Sequence, residues 1–127
     1  MKAKLIAYWI TTILGPGSFV IGGVLNLKGG DEMTTGMNHL GYAPYFGKII
    51  GFWMLAGAIV TLLPGLPRLK EWAYAGFVFL LTGAAASHAF AGDPFLEKVV
   101  PPLGFLAIVV ASWALRPASR RLPGPVV

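Results

Sequence analysis

Long apolar runs alternate with short breaks that hold the charges and prolines. Residues 5–27, 72–92 and 99–115 carry no Asp, Glu, Lys or Arg, and residues 45–63 carry only Lys48, near their start. About 20 helical residues rising about 1.5 Å each cross the roughly 30 Å apolar core of a bilayer. The pattern therefore predicts an all-α fold, a bundle of four transmembrane helices at about 5–27, 45–63, 72–92 and 99–115 in a single domain, 1–127. The first run follows Lys2 and Lys4 as a signal peptide would, but it is longer than a signal core and is read as a retained span. Pro16, within Gly15-Pro16-Gly17, removes a backbone donor mid-span and predicts a kink. Pro64-Gly65-Leu66-Pro67 ends the second span. Pro101 and Pro102 fit the first turn of the fourth, and Arg116, Pro117, Arg120 and Arg121 stop it. The tail, 122–127, shows no pattern.

Between the first two spans, residues 28–44 are polar. Asp31 is placed to cap a short helix, with Glu32 in its first turn. Met33, Met37 and Leu40 share one side and Gly41 is a stop, so a short amphipathic segment on the membrane surface is expected. Small residues recur at helical spacing in each span: Gly15, Ser18 and Gly22; Gly47, Gly51 and Gly57; Gly76, Gly83 and Ser87; Gly104, Ala107, Ala111 and Ala114. In lipid such stripes let backbones approach, so each is expected to face a neighbouring helix.

Composition agrees with a lipid solvent. Apolar residues make up 56% and charged residues 12%, where a soluble domain has about 25% charged. There is no cysteine, which removes disulfides, thiolate nucleophiles and iron–sulfur ligation. The net charge of +5 is explained by basic residues beside the spans, not by nucleic acid as a partner. Lys2, Lys4, Arg68, Lys70, Arg116, Arg120 and Arg121 fall on one side, against Lys28, Lys48 and Lys98 on the other. That bias places both termini in the cytoplasm and loops 28–44 and 92–98 outside.

The segment 68–93 carries the most pointed chemistry. His88 lies one turn inside the membrane near the outer face, where an ionisable group needs a partner, water or ligand. A neutral imidazole both donates and accepts, so it can hydrogen-bond a quinone carbonyl or pass a proton. Its bland reading is interhelical glue, for instance to Asn26, itself either a helix-end hydrogen bond or a ligand contact. His39, Tyr42, Tyr45 and Lys28 lie at the same face and complete a candidate ligand-binding set. The alternatives are a solvated loop histidine, an aromatic belt of tyrosines and an interface lysine of the kind Lys48 offers. Asp93 and Glu97 are read as caps of the fourth helix, and Glu71 as local neutralisation of Arg68 and Lys70. The inner half offers mainly Thr11, Thr12, Thr61 and Trp72. No residue set here reads as a metal site, a phosphate loop or a nucleophile elbow, and none reads as catalytic.

Tyr8-Trp9-Ile10-Thr11-Thr12, Leu40-Gly41-Tyr42, Leu69-Lys70-Glu71-Trp72-Ala73-Tyr74-Ala75-Gly76, Thr82-Gly83-Ala84-Ala85, Ser87-His88, Gly92-Asp93 and Leu115-Arg116-Pro117 resemble the DoxX-like family of small four-helix integral membrane proteins. The resemblance covers nearly the whole chain; one departure is a proline one place later than expected, at Ala43-Pro44. It implies a four-helix bundle and, more loosely, a membrane redox partner. The family takes its name from a subunit of a thiosulfate–quinone oxidoreductase, and some animal members look like assembly chaperones. A shared fold does not transfer a reaction.

The function expected is that of a small integral protein of the bacterial cytoplasmic membrane. It would act as a non-catalytic partner or subunit of membrane redox enzymes, not as an enzyme on its own, with a quinone- or lipid-binding groove at the outer face and no covalently bound cofactor. The alternative is a membrane scaffold or assembly factor working through helix–helix contacts with no small-molecule site; in either reading the lipid bilayer and further copies of the chain are expected partners.

Overall fold

The computed structural model describes residues 2–120 and 122; Met1, Arg121 and most of the unpatterned tail, 123–127, lie outside the described residues. The chain is all-helical, with four stretches long and apolar enough to cross a membrane: Lys2–Lys28, Pro44–Leu62, Pro67–Phe90 and Phe95–Ala114. Each lies within a few residues of its expected place. The third starts earlier than expected, so Arg68, Lys70 and Glu71 belong to its first turns instead of preceding it.

The first span is broken where Pro16 predicts. Helix α1 (Lys2–Leu14) gives way to a tight turn at Pro16–Ser18, and α2 (Phe19–Lys28) continues from it. The break redirects the chain, because α1 packs against α6 (Val100–Ala114) whereas α2 packs against α4 (Pro44–Leu62). Helix α5 (Pro67–Phe90) lies between α4 and α6 and closes the bundle. Phe19, Ala58, Tyr74, Phe77, Leu81 and Val109 form the buried centre, with the Phe19 and Phe77 rings 4.8 Å apart.

The α2–α4 contact depends on absent side chains. A Cβ on Gly51 would sit 2.6 Å from Cβ of Asn26 and 2.8 Å from the Gly23 carbonyl oxygen; one on Gly23 would sit 2.8 Å from the Gly51 carbonyl oxygen. Such approaches are impossible for any larger residue without moving a backbone. The stripe expected to pack on the third span behaves differently. Cβ atoms at Gly76 and Gly83 would meet nothing within 4 Å, nor would one at Gly104 on α6. These three glycines face outward. Lipid is as apolar as the bundle interior, so hydropathy and small-residue spacing do not tell the two faces apart.

Helix α3 (Asp31–Leu40) is the expected surface helix, and it ends at Gly41 in the left-handed region, φ 87°. Gly30, not Asp31, holds the capping position; Asp31 is the first helical residue and makes no side-chain cap. Met33 and Met37 lie against Gly47, so α3 rests on the start of α4. Before α6, residues Phe95–Val99 form a wide π-helical turn in which the Val100 amide donates to the Phe95 carbonyl. The cause is local: Pro101 and Pro102 have no N–H to return to the Glu97 and Lys98 carbonyls.

Candidate functional site

Two polar clusters form, one at each end of the bundle. At the end that carries α3, the carboxylate of Asp93 joins two histidines. His88 Nδ1 lies 2.7 Å from Asp93 Oδ2 and His39 Nε2 lies 2.5 Å from Asp93 Oδ1. An ionised carboxylate only accepts, so each imidazole presents an N–H to it and keeps its other ring nitrogen free to act. These bonds, that of His88 foremost, hold the Asp93 carboxyl below the ordinary carboxylate range, because they favour its charged form. The Asp93 side chain is 11% exposed and that of His39 54%, so the array is anchored below and open above. Asp93 therefore bridges α5 to α3 and does not cap the fourth helix. One residue before His88, Ser87 Oγ lies 2.7 Å from the Tyr42 hydroxyl, and Tyr42 in turn stacks on Phe46 at 4.9 Å.

Of the residues singled out from the sequence, His39, His88 and Tyr42 thus converge at one end of α5. Asn26 does not join them. Its Nδ2 donates to Met54 Sδ at 3.7 Å, on the α2–α4 contact. Lys28 ends α2 in the exposed last turn, and Tyr45, in the first turn of α4, is 68% exposed. Among the described residues, no three His, Asp or Glu side chains are arranged as metal ligands.

The opposite end carries a cluster that the sequence reading missed. Tyr8, Thr12, Thr61, Lys70, Tyr74, Ser112, Arg116 and Arg120 are all buried there. Ser112 Oγ lies 2.6 Å from Thr12 Oγ1 and 2.7 Å from the Tyr74 hydroxyl. Arg120 donates to the Tyr8 hydroxyl at 3.2 Å and to the Thr61 and Leu62 carbonyls at 2.9 and 3.3 Å. Lys70 donates to the Val60 carbonyl at 2.7 Å and to that of Leu63. Glu71 is not neutralised by Arg68 or Lys70. It pairs with Arg116 and accepts from Trp113 Nε1 at 3.0 Å, while the Arg116 guanidinium lies 5.0 Å from the Trp113 ring centre. The four-residue spacings 8/12, 70/74 and 112/116/120 are the signal that would have found this cluster. On α1 and α5 that spacing puts both polar groups on one helix face, while Ser112 lies near the end of α6 and Arg116 and Arg120 follow in the segment beyond Ala114.

An apolar groove of about 530 Å³ runs between α4 and α5 on the bundle surface. Phe46 lies towards the α3 end of it, and Leu69 and Trp72 towards the basic end.

No curated protein and no solved structure matches this chain. A model of the DoxX-like family matches residues 10–112, the four spans together with α3 and the turn that carries Asp93. By that match the chain belongs to the DoxX-like family.

Proposed function

We propose that this membrane protein is a non-catalytic partner or subunit of a membrane redox system, and that it binds a quinone or a similar lipid-like ring at the α3 end of the bundle. The observation that carries this reading is the His39–Asp93–His88 array beside Tyr42 and Ser87. Asp93 orients both imidazoles and stays charged, so each ring can hydrogen-bond a carbonyl or exchange a proton through its free nitrogen. The Tyr42 and Ser87 hydroxyls add a second polar contact at the same level. The chain has no cysteine and no dinucleotide-binding glycine motif, so electron transfer belongs to a partner and the role here is binding and proton exchange. In this reading the membrane is the bacterial cytoplasmic membrane, with the array at its outer face.

The test is a titration of a short-tailed quinone analogue into the purified protein in lipid nanodiscs. Saturable binding that weakens about five- to tenfold in His88→Ala is expected, the loss of roughly one hydrogen bond. Equal binding by wild type and variant overturns the reading. The rival, a scaffold or assembly factor, is favoured by one observation: Gly76, Gly83 and Gly104 are open outward on α5 and α6. A stoichiometric protein partner recovered from native membranes, with no bound ring, would support that rival.

A further inference from the structure

The groove between α4 and α5 has no part in the reading above. Its walls are apolar along their whole length: Phe46, Trp53, Val60, Leu69, Trp72 and Phe77 stand around a floor left low by glycine and alanine. Along α4 it extends from Phe46 to Val60, about 21 Å of helix, which is more than half of a bilayer's apolar core. With about 530 Å³ along that length, it is a long, narrow groove on the bundle surface. A second helix is about 10–12 Å across with its side chains and does not enter such a groove whole. A single hydrocarbon chain does.

Charge distinguishes the two ends of this slot. Leu69, Trp72, Ala73, Gly76, Phe77 and Leu80 share one stripe of α5, and Arg68 precedes Trp72 by one turn on the same stripe. Arg68 is exposed, and among the described residues it makes no salt bridge. Among the described residues, the other cations near this end lie elsewhere. Lys70 and Arg120 bond the end of α4, and Arg116 pairs with Glu71. Lys2 and Lys4 sit on α1, which packs against α6. Trp72 is 71% exposed, one turn inside Arg68, at the level where an indole meets lipid headgroups.

We propose that the α4–α5 groove is a binding site for one anionic glycerophospholipid, with an acyl chain in the slot and its phosphate on Arg68. A basic residue beside an interhelical crevice recognises an acidic headgroup by charge, and the crevice holds the lipid by its tail. The headgroup end of the site lies at the basic end, away from the histidine array, and the groove's far end reaches Phe46 beneath Tyr42.

The test uses the full chain reconstituted in phosphatidylcholine bilayers with a minor share of phosphatidylglycerol, and reads retained lipid by native mass spectrometry. Wild type is expected to keep one phosphatidylglycerol, favoured about fivefold over phosphatidylcholine per lipid offered. Arg68→Gln is expected to lose that preference while still retaining lipid. Gly76→Leu, whose Cβ meets no protein atom within 4 Å, is expected to fill the slot and lose both lipids at an unchanged melting temperature. Gly104→Leu, equally free of neighbours but on α6, is expected to behave as wild type. The proposal is overturned if wild type shows no preference between the two lipids, if Gly76→Leu keeps its lipid, if Gly104→Leu loses lipid to the same degree, or if wild type appears as a dimer without lipid that Gly76→Leu dissociates.

Discussion

Lys70 shows how one side chain answers a backbone problem set elsewhere in the sequence. Helix α4 runs into Pro64-Gly65-Leu66-Pro67. In a continuing helix the Val60 carbonyl would accept from residue 64 and the Leu63 carbonyl from residue 67, but both are prolines and have no N–H. Lys70 Nζ donates to those two carbonyls, and Arg120 supplies the intervening Thr61 and Leu62. Two cations thus satisfy the last four carbonyls of a helix end, which also carries partial negative charge. Lys70→Met should therefore strand buried acceptors and cost about 1–3 kcal/mol. A clearly lowered melting temperature in detergent is expected, whereas Lys48→Met, at an exposed position, should melt as the parent does. Equal melting of the two variants would refute the capping role. This use of Lys70 was not legible in the sequence, where it reads as a topology charge, because the carbonyls it serves belong to another helix. His88 was legible, as a lone ionisable group in an apolar run. Its partner Asp93 was visible too, but a helix start nearby offered a cheaper explanation than a bridge to His39 on α3.

Elements were easier to read than the faces they bury. Span lengths, the Pro16 break and the surface helix over 31–40 follow from local rules of propensity, donor loss and periodicity, and they appear at or near the expected residues. Which stripe packs is a tertiary matter. Gly47-Gly51 and Gly83-Ser87 have the same four-residue spacing, yet one meets α3 and α2 while Gly83 meets nothing. The kink supplies the reason. By turning the first span away from α6 and onto α4, it places Gly23 against Gly51, so close that neither has room for a Cβ. Gly51→Leu should accordingly force α2 and α4 apart and destabilise the bundle by about 1–3 kcal/mol or more. Gly83→Leu should leave the detergent melting temperature unchanged. The two substitutions add the same side chain to glycines of similar spacing, so their contrast isolates packing from helix propensity. If Gly83→Leu proves the more damaging, the assignment of α2 against α4 is wrong.

Considered whole, the molecule is a bundle with a polar cluster at each end and an apolar belt between them. The basic end is tied together by buried hydroxyls, guanidinium groups and the Lys70 ammonium. The α3 end is tied by carboxylate–imidazole bonds across an exposed surface. Four spans return the chain to the side from which it set out, so Lys2, Arg68 and Arg116 share an end. The excess of basic residues there should hold that end in the cytoplasm, since lysine and arginine near span ends resist translocation. Lys70, Arg116 and Arg120 are buried in the cluster, but the rule acts on the chain while it inserts, before the bundle closes. The protein has no cysteine, so single cysteines introduced at Ser119 and at Thr35 report one position each. In intact cells, a membrane-impermeant thiol reagent should label the Thr35→Cys variant, on exposed α3, and spare Ser119→Cys until the cells are opened. Labelling of Ser119→Cys from outside would invert the molecule. The histidine array would then face the cytoplasm and the Arg68 groove the outer leaflet.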